Sequence, residues 1–244
     1  AARWRGLETL GYAGDREDLG VRSEMTPYYE RNGITIYHGD CRDVLPQISQ
    51  MDLVLTDPPY GIDGGKGGSR GRGKVNYIAN EWEDSPEYIA KICVPIIEYA
   101  IANAGRCIVT PGLKHMHLYP VPADVGCFWT PASTGFGAWG HTTFNPIFYY
   151  GRDPRAGKGQ TPNGRQMTEQ AEVDGHPCPK PLIPWKWLLI KGTAELTDII
   201  VDPFMGSGTT LRAAKDLGHC AIGIDIEERY CEIAAKRLAQ EVLL

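Results

Sequence analysis

Two hydrophobic rhythms alternate along the chain. Short apolar runs bounded by Gly, Asp or Pro give way to longer segments with apolar positions at helical spacing. "GITIYHGD" (33–40) reads as a strand ending in a polar turn, and "CRDVLPQI" as a short helical turn. "MDLVLTD" (51–57) is largely apolar, as expected of a strand buried on both faces. Residues 84–104 read as a helix: Asp84 or Ser85 caps it, Pro86 suits its first turn, and Pro95 should kink it. "RCIVT" (106–110) is a third strand, and "CFWTPAS" and "NPIFYYG" read as antiparallel partners across a Gly-rich connection. "LIPWKWLLIKG" is a short helix closed by Gly192, followed by a strand, "TDIIVD" (197–202), and a helix to Gly218. "CAIGID" (220–225) is the next strand, and "EERYCEIAAKRLAQ" an amphipathic helix with Tyr230, Ile233, Ala234 and Leu238 on one face. The alternation predicts an α/β fold with a mostly parallel twisted sheet, an antiparallel hairpin and helices on both faces.

Two stretches carry neither rhythm. Residues 61–74, "GIDGGKGGSRGRGK", are rich in glycine and hold Lys66, Arg70, Arg72 and Lys74. Residues 152–165 hold Arg152, Arg155, Lys158 and Arg165. Both are expected to be surface loops. The 244 residues suit one hydrophobic core, read here as one domain over residues 25–244. Residues 1–24 are organised differently and precede the first methionine, Met25, so they are expected to be an extension; expression from Met25 should preserve folding and activity.

Charge and cysteine usage narrow the class. The 25 Lys and Arg against 30 Asp and Glu give a formal charge of −5, which argues against a surface that holds nucleic acid everywhere but leaves room for a local basic cleft. The seven cysteines are scattered, with no C-x-x-C pair. They predict neither a disulfide framework nor a zinc site, and so a reducing, cytoplasmic setting. No apolar run reaches the roughly 18 residues of a membrane span, and no signal peptide is expected.

Candidate chemistry sits at two strand ends. In "VDPFMGSGTT" (201–210) a buried strand delivers Asp202, and Gly206, Ser207 and Gly208 open a helix at Thr209. Glycines there let a ligand approach the backbone, and a helix N-terminus favours negative charge. Asp225 ends the next strand, about 20 residues on, where an acid suits a pair of ribose hydroxyls. A P-loop would need G-K-[ST], so this turn is either a nucleoside-type site or a bare strand-to-helix turn. The second strand end is "TDPPYG": Asp57 offers a carboxylate, Pro58 and Pro59 stiffen the backbone, and Tyr60 offers a ring. It reads either as a stiff turn or as a receptor for a planar amine.

Together "TDPPYG" and "DPFMGSGTT" resemble the S-adenosylmethionine-dependent amino-methyltransferases of DNA, which act on adenine N6 or cytosine N4, in the permuted β-type motif order. "YHGDC", "HPCPKP" and "GIDIEERY" resemble further family segments. Cys178 stands where threonine is usual, and Asp225 where glutamate is more usual. The resemblance covers about residues 27–240 and implies a Rossmann-like class I methyltransferase fold. It implies a catalytic Asp57, Pro58, Pro59 and Tyr60, with Asp57 and the Pro58 carbonyl accepting hydrogen bonds from the amine and Tyr60 stacking a flipped base. For the cofactor it implies Asp40, Cys41, Asp57, His176, Lys180, Asp202, Phe204, Gly206, Ser207, Gly208, Thr209 and Asp225, with Lys180 meeting the methionine carboxylate.

The resemblance also implies double-stranded DNA as substrate, a bacterial, archaeal or phage-encoded setting, and a homodimer or a partner restriction endonuclease as candidate associations. The eight loop cations of 61–74 and 152–165 are expected to contact DNA, with a minimal recognition segment at about 152–175. Asp57 favours adenine N6 over cytosine N4 by resemblance. Methylation of a protein amide, or a non-catalytic cofactor- or DNA-binding module, are the readings from other classes. His115 and His117 lack a third ligand, so no metal is expected. The aromatic stretch 128–150 reads as core packing rather than a stacking platform.

Overall fold

The computed structural model describes residues 25–61, 84–131, 135–169 and 180–240. The extension 1–24, the loop cations Lys66, Arg70, Arg72 and Lys74, and His176 and Cys178 lie outside the described residues. The chain begins with β1 (Tyr29–Arg31), β2 (Ile34–His38), α1 (Cys41–Val44) and β3 (Leu53–Thr56). Next come α2 (Pro86–Tyr88), a π segment (Ile89–Cys93), α3 (Val94–Asn103), β4 (Arg106–Val109) and β5 (Asp124–Trp129). They are followed by β6 (Gly135–Gly137), β7 (Gly140–Thr142), β8 (Phe144–Gly151) and β9 (Arg165–Gln166). The last block is α4 (Leu182–Gly192), β10 (Ile199–Asp202), α5 (Thr209–Leu217), β11 (Cys220–Asp225) and α6 (Glu228–Ala239).

Nine strands form one sheet in the order β1-β2-β11-β10-β3-β4-β8-β5-β9. From β2 to β4 every neighbour is parallel. β8 pairs antiparallel with β4 and β5, which supplies the expected hairpin. Alternate residues of the central strands enter different cores. Ile34, Ile36, Leu53, Leu55 and Ile200 face α4, α5 and α6, while Val54, Val109, Val201 and Ile224 face α1, the π segment and α3. Apolar burial on both faces explains why β3 and β10 read as continuous apolar runs.

Several expectations change in detail. Ser85, not Asp84, caps the helix at Pro86, accepting from Tyr88 N–H at 3.1 Å. Pro95 cannot donate to Lys91, and the wide turn just upstream absorbs this: Val94 N–H reaches back to the Ile89 carbonyl. Gly192 is the last helical residue of α4 rather than a left-handed cap. A Cβ there would lie 2.7 Å from Ile108 Cδ1 and 2.9 Å from Leu53 Cδ2, so glycine lets the helix sit close on the sheet. On α6 the fully buried residues are Tyr230, Cys231, Ala234 and Leu238; Ile233 is half-buried. Of the aromatic stretch, Phe128, Phe148 and Tyr150 are core, but Trp129, Trp139 and Phe144 are exposed. The segment 152–169 contributes β9, which pairs parallel with β5 at the sheet edge.

The sheet order creates one crevice. β10 and β3 are neighbours, yet β10 connects through α5 outward to β11, while β3 connects through α3 the other way to β4. Crossovers that diverge from adjacent parallel strands open a cleft at their C-terminal ends, where open α/β sheets bind ligands. Asp57 and Asp202 both stand at that mouth, immediately after β3 and at the end of β10.

Candidate functional site

The loop after β3 is fixed by partners from distant segments. Tyr60 Oη donates to Asp57 Oδ1 at 2.6 Å, and Thr110 Oγ1 donates to the same oxygen. Lys180 Nζ pairs with the other, Oδ2, at 2.5 Å, and lies 4.7 Å from the Tyr60 ring centroid. Gly61 closes the loop at φ +68°, a conformation that disfavours any other residue. Its N–H donates to Asp84 Oδ1 at 2.6 Å, and its carbonyl lies 3.2 Å from His115 Nε2. "TDPPYG" is therefore a stiff turn whose acid has one oxygen locked by two hydroxyls. Burial pushes the Tyr60 phenol above its ordinary value, which keeps it a neutral donor.

The loop after β10 is built around a buried acid. Asp202 Oδ1 accepts from Thr56 Oγ1 at 2.7 Å and Phe204 N–H at 3.1 Å; Oδ2 accepts from Thr210 Oγ1 at 2.5 Å. Thr210 in turn accepts from Trp185 Nε1 at 3.0 Å. Burial raises the Asp202 carboxyl to about 7, against the hydrogen bonds of Thr210 and Thr56. Both oxygens hold protein donors, which fixes the turn around them, and Asp202 is itself among the residues that line the cleft. The turn reverses at Gly208, φ +75°, where a Cβ would lie 2.7 Å from Ala234 Cβ. Arg237 of α6 donates to the Ser207 carbonyl at 2.5 Å. Asp225 Oδ2 accepts from Gly206 N–H at 2.9 Å and Oδ1 from Glu227 N–H at 2.9 Å, and burial raises its carboxyl to about 6.

One cleft of about 340 Å³, counting its open mouth, joins the two loops; Asp57, Lys180, Trp185, Phe204, Ser207 and Thr209 are among its walls. Asp40 and Cys41 stand beside it at the end of β2, where Gly39 N–H donates to the Asp225 carbonyl at 2.9 Å. The Asp40 carboxylate caps α1 through Arg42 N–H and is ion-paired with Arg42, which holds it below the ordinary range against the cost of burial. The Cys41 thiol is buried and pushed up to about 12. It is a buried free thiol, like Cys93, Cys107 and Cys231 in the core.

The cations of the second loop part company. Gly151 pairs with Arg106, the first residue of β4, so Arg152, Arg155 and Lys158 follow at the end of the sheet opposite Asp57. Arg165 pairs with Phe128 on β5 and returns towards the cleft end, ion-paired with Glu169 at 3.7 Å. No group of His, Cys, Asp or Glu that could hold a metal occurs among the described residues. Nor, among them, is any helix long and apolar enough to cross a membrane.

Sequence reasoning missed Thr56, Asp84, Thr110, His115, Trp185, Thr210 and Arg237. Only Thr110 carried a usable signal: "TPG" (110–112) ends β4 beside β3, just as "TDPPYG" ends β3.

Comparison with known proteins places these features in company. The family described as DNA methylase, of the N6/N4 type, matches residues 123–236. Type II methyltransferase M.BglII of Bacillus subtilis is 42% identical, over 95% of this chain and 76% of its own. Type II methyltransferase M2.DpnII of Streptococcus pneumoniae is 28% identical, over 88% and 93%. Among solved structures, the PvuII DNA methyltransferase (cytosine-N4-specific) superposes with a TM-score of 0.65 at 14% identity, covering 91% of this chain and 92% of its own. The M1.HpyAVI–SAM complex superposes with a TM-score of 0.56 at 21% identity, covering 84% and 99%.

Proposed function

The chain belongs to the N6/N4 DNA methylase family, and from that premise we propose that it moves a methyl group from S-adenosylmethionine to the N6 amine of an adenine flipped out of double-stranded DNA. The observation that carries the reading is the shared cleft: the amine-receptor loop and the glycine turn face each other across the switch point, tied by the Thr56–Asp202 hydrogen bond at 2.7 Å.

The residues fit that cofactor. The glycine turn and the N-terminus of α5 offer close backbone approach, Lys180 an ammonium for a carboxylate, and Phe204 a half-buried ring. Asp225 spends one N–H bond on each oxygen, and a carboxylate oxygen has capacity for a second, so it can still accept from ribose hydroxyls. When bound, S-adenosylmethionine supplies an electrophilic methyl on a sulfonium.

The protein's part is to make a weak nucleophile competent. The lone pair of an exocyclic amine is delocalised into the ring. Asp57 Oδ2 and the Pro58 carbonyl accept from its two N–H bonds, which favours tetrahedral nitrogen and returns the lone pair. Tyr60 and Thr110 hold Oδ1 and so fix the carboxylate's plane. Orientation and electrostatics then do the catalysis, with no covalent enzyme intermediate. The buried, raised thiols are consistent with that.

A carboxylate at position 57 supports adenine as the target. DNA from cells expressing the protein, digested to nucleosides, should contain N6-methyladenine, and cells expressing Asp57→Ala should lack it. N4-methylcytosine would move the target to cytosine, and methyl transfer into protein but not DNA would overturn the reading.

A further inference from the structure

We infer that Lys180 serves two carboxylates in turn, Asp57 before the cofactor binds and the cofactor's own carboxylate afterwards, so that cofactor binding is what opens the amine receptor. The inference rests on the proposed S-adenosylmethionine reading of the cleft.

As the structure stands, the receptor is closed. Asp57 Oδ1 is taken by Tyr60, at 2.6 Å, and by Thr110, and Oδ2 by Lys180 at 2.5 Å. The same ammonium lies 4.7 Å from the Tyr60 ring centroid, against the surface a flipped base would stack on. One group therefore occupies both the acceptor and the platform, and its displacement clears both.

Lys180 is placed for the exchange. Its carbonyl accepts from Thr209 Oγ1 at 3.3 Å, so its backbone is anchored at the first residue of α5 beside the glycine turn, while its ammonium reaches the β3 loop. A lysine stem is flexible and its ammonium rotates freely among acceptors. The pair is partly shielded, with side-chain exposures of 19% and 20%, so it is worth more than a surface ion pair yet is still reachable by a competing carboxylate.

Linkage makes this testable by binding alone. If the cofactor's carboxylate has to take Lys180 from Asp57, removing the Asp57 charge must tighten the cofactor's hold. Two probes suffice: S-adenosylhomocysteine, which carries the carboxylate and no sulfonium charge, and 5′-methylthioadenosine, which lacks the amino-acid part. By calorimetry, Asp57→Asn should bind S-adenosylhomocysteine about fivefold more tightly than the native chain, the equivalent of about 1 kcal/mol of ion pair. 5′-Methylthioadenosine, which offers no carboxylate to Lys180, should show no such tightening, and a thermal melt of the variant reports that it is folded. Lys180→Met should weaken S-adenosylhomocysteine alone, and adding Asp57→Asn to it should give no tightening. Unchanged or weaker binding by Asp57→Asn, or tightening that persists without Lys180, overturns the exchange while leaving the cofactor reading intact. Failure of the native chain to bind S-adenosylhomocysteine overturns both.

Discussion

Asp57 is aimed by two hydroxyls that arrive from different directions, one three residues along its own loop and one from the end of the neighbouring strand. Thr110→Val removes the second without adding bulk. It is expected to lower kcat about tenfold, the order of one lost hydrogen bond to a charged group, with cofactor affinity unchanged and Thr110→Ser restoring the rate. Asp202 carries a different signature. Unfolded, it ionises near its ordinary 3.8, but folded it keeps its proton to about 7 because it is buried. Its folded form binds the extra proton, so its contribution to stability is full below about pH 4 and is lost as pH rises through about 7. Against Asp202→Asn, which cannot ionise, the native chain should lose relative stability between about pH 4 and about pH 7.5, by on the order of 1 kcal/mol or more. Thermal melts of both proteins across that range measure it; a constant difference would show that Asp202 titrates as an ordinary carboxyl.

At the scale of elements, glycines mark where backbones meet. Gly192→Ala presses a methyl between Ile108 and Leu53 and should cost about 1–3 kcal/mol, seen as a lowered Tm. Gly61→Ala combines φ +68° with contacts at 2.7 Å to Ile89 and 2.8 Å to His115, so it should lower both Tm and kcat. The sequence foretold Gly61 as part of a loop, and Gly192 as a cap, because one-dimensional pattern carries no information on which face a helix presses to a sheet. The central strands and helices were legible for the opposite reason: burial on both faces writes itself as unbroken apolar runs. β1 and β9 have three and two residues, too short for any period to register. At the site, Asp57, the glycine turn and Asp225 were legible because each lies at a strand end beside its own turn residues. Thr110 carried the same kind of signal in "TPG", but Asp84 and His115 did not, since their partners are 23 and 54 residues away.

At the scale of the molecule, the cations of the second loop lie towards opposite ends of the sheet. Arg152, Arg155 and Lys158 follow Gly151 at the far end of the sheet. Neutralising all three is expected to leave kcat/KM for DNA methylation within about twofold and the salt dependence of DNA binding unchanged, because phosphate contacts set that slope. A shallower slope would mean that DNA reaches around to this end. The strand order has a last consequence, for the chain as it is made. β2 and β3 leave the ribosome early, yet they never touch; the two places between them belong to β11 and β10. Until residues 199–225 have emerged, β2 has only β1 and β3 only β4 beside it, so each of these interior strands stands with one bare edge, exposed to any other chain that offers a partner. The binding cleft therefore forms only once β10 and β11 have been made, and a messenger cut short before β10 would yield a sticky half-sheet rather than a weak enzyme.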